Sequence, residues 1–359
     1  MKGLILAGGY GTRLRPLTHT GPKQLIPVAN KPVMWYAIEA MKEAAITNIG
    51  IVVGYTEERI QKIMELVGDG SRWDVKITYI RQDAPRGIAH AIGITEEFIK
   101  GEDFVVHLGD NIFKEGIRKP LEYFGQSNAH AFLVLARSDT PEKFGVAIID
   151  EKDNVLEVEE KPENPRTDLV ITGLYFFKPD IFKFIKKLNP SARGELEITH
   201  AIQKMLESKN YKVMAHVTEG WWDDTGTAES ILRANRLVLM DLKSLNKGII
   251  EENVKIIGNV RIEEDSIIKQ GSVILGPVII GKNCIIGPNS YIGPYTSVGD
   301  NTKIKGGEIE SSIIIGEGTI NFEGKIVDSL IGKSAIILSE ESLPKGFKFV
   351  IGEDTVIRM

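Results

Sequence analysis

Beyond about residue 245 one spacing dominates the chain. Positions 250, 256, 262, 268, 274, 280, 286, 292, 298 and 304 are isoleucine at every step except Val298. A fixed six-residue stride is the signature of a parallel β-helix, in which each coil stacks on the last and aliphatic side chains fill the axis. Two residues before each column position, from 254 to 302, stand Val, Val, Ser, Ser, Val, Cys, Ser, Thr and Thr, all small. The stretch IGKNCIIGPNSYIGPYTSVGDNT (280–302) is the clearest part, and Cys284 reads there as a small inward-facing residue. The stride breaks at Glu310 and resumes at Ile314, Ile320 and Ile326, which predicts a loop or an altered coil near 305–312.

A chain of 359 residues exceeds what one core usually organises, so two domains are expected, 1–245 and 246–359. The net charge of −5 and the lack of a dense Lys/Arg tract argue against polymeric nucleic acid as a partner and leave room for a small anionic ligand. The single cysteine excludes an internal disulfide framework and a cysteine-rich metal site, which suits a reducing compartment. No apolar run reaches the roughly 18 residues of a membrane helix. The expectation is a soluble cytoplasmic protein with no membrane partner.

The first hundred residues alternate in type. Strands are expected at Gly3–Leu6, Ile49–Gly54, Val75–Arg81 and Phe104–Leu108, and helices at Pro32–Ala44, Glu57–Val67 and Ile88–Ile99. This predicts an α/β fold with a doubly wound, Rossmann-like, mainly parallel sheet whose ligands sit outside the carboxyl ends of the strands. Gly8–Arg13, Gln82–Gly87 and Gly109–Asn111 each follow such an end.

The first of these, LAGGYGTRLRP (6–16), carries Gly8, Gly9 and Gly11 and then Arg13. Bare amides in a glycine turn form an anion-binding concavity, and arginine adds a planar donor that stays charged. A Walker loop is excluded by the missing Gly-Lys-Ser/Thr, and a dinucleotide fingerprint by Leu14 where glycine is required. GPKQLIPVANKP (21–32) then supplies Lys23 as a second phosphate contact. Asp110 in LGDNI (108–112) and Asp223 or Asp224 in GWWDDTGT (220–227) are strand-end carboxylates; such groups cap turns, and opposite a phosphate site two of them also suit Mg²⁺. Gln82 offers both a donor and an acceptor, as a base edge demands. KFGVAIID (143–150) and EVEEKPENP (157–165) read as a strand pair around a ligand, with Glu160 and Lys161 adjacent.

In this order LAGGYGTRLRPLT, PKQLIPV, QDAPRGIAHA, LGDNI, FGVA, EEKP, TGLYFF, RGELEIT and WDDTGT resemble the sugar-1-phosphate nucleotidylyltransferases, most closely their glucose-1-phosphate thymidylyltransferase branch. The resemblance covers 1–245, and the tail is similar to the left-handed β-helix of the long form. It implies transfer of a thymidylyl group from dTTP to glucose 1-phosphate, giving dTDP-glucose and pyrophosphate, with UTP or a broader donor range as the alternative. It places Leu6, Gly8, Gly9, Gly11, Thr12 and Arg13 on the triphosphate and Lys23 at the α-phosphate or leaving pyrophosphate. Gln82 and Gly87 hold the base, Asp110 and Asp224 bind Mg²⁺, and Asn111, Gly145, Glu160, Lys161, Thr172, Tyr175 and Arg193 line the sugar-phosphate pocket. Phe144 and His90 depart from the family pattern, which more often has tyrosine and glutamine there.

The chemistry suits these residue types. A sugar phosphate has its second pKa near 6, so its attacking oxygen is already ionised at neutral pH and no general base is needed. What remains is to bring two polyanions together and neutralise an in-line displacement. A hexapeptide acyltransferase is the competing reading, but all six histidines precede residue 245. A non-catalytic nucleotide-binding relative is another, against which Arg13, Lys23 and Asp224 are all present. The coils are expected to serve assembly, as a homo-oligomer, and stability.

Overall fold

The computed structural model describes residues 1–339; residues 340–359, part of the expected 246–359 domain, lie outside the described residues. By packing, the chain forms two compact units. Met1–Gly11, Thr20–Leu25 and Pro32–Thr225 make the first; Thr12–His19, Ile26–Lys31 and the described chain from Gly226 onward make the second. The coils begin near Leu245, where the texture of the sequence changes, but the packing division falls earlier because the helix Ala228–Met240 packs on the coil strand Thr296–Val298.

The first unit is built on one sheet of nine strands: β1 (Lys2–Ala7), β2 (Asn48–Val53), β3 (Lys76–Arg81), β4 (Phe104–Leu108), β5 (Ala131–Arg137), β6 (Gly145–Ile149), β7 (Val155–Glu160), β8 (Leu169–Phe177) and β9 (Val213–Val217). The path runs β7-β6-β8-β4-β1-β2-β3, with β5 on β8 and β9 on β5. β4, β1, β2 and β3 are parallel, as the βα alternation predicts, whereas β8 runs antiparallel to β4, β5 and β6. Central strands carry core on both faces. Along β1, Leu4 and Leu6 join one buried cluster and Ile5 and Ala7 the other, the alternation that a pleated strand imposes. The expected helix 88–99 is two pieces, Ile88–Gly93 and Glu96–Ile99, because the Thr95 hydroxyl donates to Ile92 O (2.6 Å) at the break.

The second unit is a left-handed parallel β-helix with three sheets of six, six and five strands, preceded by the helix Ala228–Met240. Ile249 lies beside Ile267, Ile267 beside Ile285 and Ile285 beside Lys303, a coil of 18 residues. Thereafter Tyr291 lies beside Glu308 and Ser297 beside Ile313, so the coil loses one or two residues. That shortening is the break in the stride: Ile309, not Glu310, takes the buried position. The column is fully buried from Ile262 to Ile304, whereas Ile250 and Ile256, on the first coil with no coil beneath, are over a third exposed. Cys284 points inward, buried in the axis.

Candidate active site

The order β3-β2-β1-β4 reverses between β1 and β4, and the crevice outside their carboxyl ends is where a doubly wound sheet takes a ligand. The turn from Gly8 follows β1, and Asp110 follows β4; the N–H of Gly109 donates to Leu6 O (2.9 Å) and ties the two ends. The Lys23 stem runs along Gly9, where an added Cβ would stand 3.7 Å from its ε-carbon. Its ammonium is paired with Asp110 Oδ2, both side chains being largely buried. Asp110 Oδ1 accepts from Asn111 Nδ2 (3.0 Å), and the Thr225 hydroxyl donates to Asp110 O (2.5 Å), which brings the WDDTGT turn to the same strand end. Within that turn Asp223 is buried and accepts from the Thr225 N–H (3.0 Å), while Asp224 is partly exposed.

Among the described residues no group of three or more His, Cys, Asp or Glu could hold a metal by itself. Two carboxylates on joined turns are nevertheless the donor set that Mg²⁺ takes when phosphate oxygens and water complete its shell. Below Asp110, His107 is fully buried on β4, with Nδ1–H donating to Leu108 O (2.8 Å) and its ring edge-on to Phe113. Burial pushes its pKa down to about 4, so it stays neutral.

Gln82 is buried just after β3 and touches the glycine turn: a Cβ on Gly8 would lie 2.4 Å from Gln82 Oε1. Gly87 has φ +101°, and a Cβ there would meet Leu196 O at 2.5 Å. That close approach lets the 191–197 loop bond to the 86–89 segment, through Leu196 N–H to Arg86 O (2.7 Å) and Ala89 N–H to Leu196 O (3.0 Å).

β6 and β7 pair antiparallel and set Gly145 opposite Glu160. Glu160 accepts from Arg193 Nη2 and from the Thr199 hydroxyl, both at 3.0 Å. Arg193 also donates to Glu197 (2.8 Å), a buried carboxylate that accepts from the Ser191 hydroxyl as well. Trp222 packs edge-on to Phe144 at 5.4 Å and donates its indole N–H to Asn111 Oδ1 (2.5 Å). Sequence reasoning did not assign Glu197, Thr199, Thr225 or Trp222; the first two lie in RGELEIT and the others in WDDTGT, so the motifs held the signal, but only the fold shows which partners they meet.

Five candidates sit differently. Thr172 is buried with its hydroxyl donating to Val134 O (2.8 Å), Tyr175 is buried and stacked on Phe177, and burial pushes its phenol strongly up. Lys161 is exposed at φ +45°, its N–H donating to Phe144 O (3.0 Å). Thr12 and Arg13 are exposed on the short turn Thr12–Leu14, which packs with the second unit.

The class that such a fold and crevice define is a nucleotidyl transferase, and the family of that description matches residues 2–240. The chain belongs to that family, and it carries the bacterial transferase hexapeptide repeat over 277–307. Over its whole length it is 49% identical to the low-salt glycan biosynthesis nucleotidyltransferase Agl11 of Haloferax volcanii, which it covers completely. It is 43% identical to a glucose-1-phosphate thymidylyltransferase of Streptomyces antibioticus, covering 100% of this chain and 99% of the other. A crystal structure of a putative glucose-1-phosphate thymidylyltransferase from Bacillus anthracis matches 68% of this chain and 98% of its own with a TM-score of 0.62 at 39% identity.

Proposed function

We propose that the protein transfers a thymidylyl group from dTTP to glucose 1-phosphate, releasing pyrophosphate. The observation that carries this reading is the pairing of Lys23 with Asp110 beside the glycine turn: a cation and a carboxylate held in reserve where a triphosphate and its counter-ion would enter. The thymidylyltransferases among the relatives and the PKQ segment support dTTP as donor. A single methyl group is worth only about 1–3 kcal/mol in a pocket, so UTP is the competing donor.

In this scheme the turn amides and Lys23 hold the triphosphate, and Lys23 exchanges its Asp110 partner for phosphate oxygens. The Glu160–Arg193–Thr199 network holds the sugar phosphate so that its ionised oxygen faces the α-phosphorus. A new oxygen–phosphorus bond forms there as the bond to the β-phosphate breaks, and pyrophosphate leaves with the electron pair. Asp110 and Asp224 would hold Mg²⁺, which when bound neutralises charge on the triphosphate.

The test is pyrophosphate release with dTTP, UTP, dCTP and ATP against several sugar 1-phosphates. The dTTP and glucose 1-phosphate pair is expected to give the highest kcat/KM; another winning pair overturns the specificity, and no release with any pair overturns the activity. Asp224→Asn is expected to lower kcat by about 100-fold or more while the KM for the sugar phosphate moves little. Near-normal turnover of that variant at limiting Mg²⁺ removes Asp224 from the metal site.

A further inference from the structure

His90 takes no part in the scheme above, yet it is the side chain that holds Gln82. Its Nδ1 lies 3.0 Å from Gln82 Nε2, and its Nε2 lies 3.3 Å from Asp83 Oδ1. An amide nitrogen only donates, so the imidazole Nδ1 must accept; the ring is therefore neutral and carries its proton on Nε2, directed at Asp83. With Gln82 Nε2 committed to His90, Oε1 is the end turned to the glycine turn at Gly8. The pocket is offered an acceptor.

We propose that His90 is a positioning residue for donor selection: it locks the Gln82 amide in the sense that accepts the N3–H of a keto pyrimidine, thymine or uracil, and refuses cytosine, whose N3 is itself an acceptor. This rests on Gln82 being the base contact. Asp83 faces the Nε2–H end of the ring at 3.3 Å and is itself held by Arg86 at 2.7 Å.

The experiment is kcat/KM for dTTP, UTP and dCTP at neutral pH in the wild type, His90→Leu, His90→Gln and Gln82→Leu. His90→Leu is expected to lose at least about tenfold of the wild-type dTTP:dCTP ratio, the cost of an amide left free to turn. His90→Gln, whose Oε1 accepts from Gln82 Nε2, is expected to keep the ratio. A purely structural His90 would instead lower every donor equally. Should His90→Leu fold poorly, His90→Gln still tests the lock, since loss of the ratio in that variant overturns it. A wild-type ratio kept in His90→Leu but lost in Gln82→Leu overturns the proposal alone; a ratio kept in both overturns the role of Gln82, and the proposal with it.

Discussion

His107 shows what a single buried base does to a sheet. Its folded pKa of about 4 lies below the ordinary 6.5, so between these values the unfolded chain takes up a proton that the folded chain refuses. Stability is therefore full above about pH 6.5 and is lost as pH falls toward 4, by up to about 3 kcal/mol from this residue. His107→Leu is expected to give a shallower fall of Tm across that window than the wild type, and parallel curves would contradict the assignment. At this scale the sequence was most legible where a residue's type alone declares its chemistry. Lys23 and Asp110 are found together at the crevice, and Cys284 inside the coil. Thr172 was less legible: a threonine in a strand can face either way, and here a carbonyl on β5 takes its hydroxyl. Glu197 was missed because a glutamate next to a helix gives no sign of the arginine that reaches it.

Among the elements, strands and helices of the first hundred residues were readable because each is amphipathic or buried over its whole length. The antiparallel β8 was not, since hydrophobic periodicity carries no direction. In the coils the six-residue stride located the axis, but two features lay outside it. Non-glycine residues stand at positive φ along the corners, among them Asn253 and Asn289 in one column and Asp265, Asn283 and Asn301 in another. These are residue types that tolerate the left-handed region, which accounts for Asn253, Asn283, Asn289 and Asn301 at these corners. Past Ile304 the coil shortens through Gly306 and Gly307, both at φ +68°, where a Cβ on Gly307 would meet Phe322 O at 2.7 Å. Burial also grades along the column, and this sets a prediction. Ile286→Asp places an unpaired charge in a sealed axis and is expected to cost about 4 kcal/mol or more, whereas Ile256→Asp on the open first coil is expected to cost under about 1 kcal/mol. Equal losses in urea unfolding of the two variants would mean that the first coil is covered.

Over the whole chain, the two units are interleaved in sequence. The segment Ile26–Lys31, directly after Lys23–Leu25, turns through Ala29 and Asn30, both at positive φ, a costly conformation for alanine. It is held by the second unit's own side chains. Asn235, completely buried on the helix Ala228–Met240, accepts from Ala29 N–H (2.8 Å) and the Ser297 hydroxyl (2.7 Å) and donates to Tyr295 O (3.0 Å), while Asn30 Nδ2 donates to Val298 O (2.7 Å). Asn235→Ala is expected to cost about 1–3 kcal/mol by stranding these groups. A chain cut after Leu245 removes the coil partners altogether and is expected to melt lower and transfer more slowly than the full chain; unchanged Tm and rate in the cut chain would show that the turn stands alone. Composition located where the coils start, but not that two short segments from the front of the chain pack with them, because nothing in six residues around Ala29 records a partner more than 200 positions away. Among the described residues no helix is long and apolar enough to cross a membrane. For anyone recombining such proteins, the seam between front and tail is not one cut but several: a chimera that exchanges the tail must exchange residues 12–19, 26–31 and the helix from 228 with it, or inherit a turn with nothing to grip.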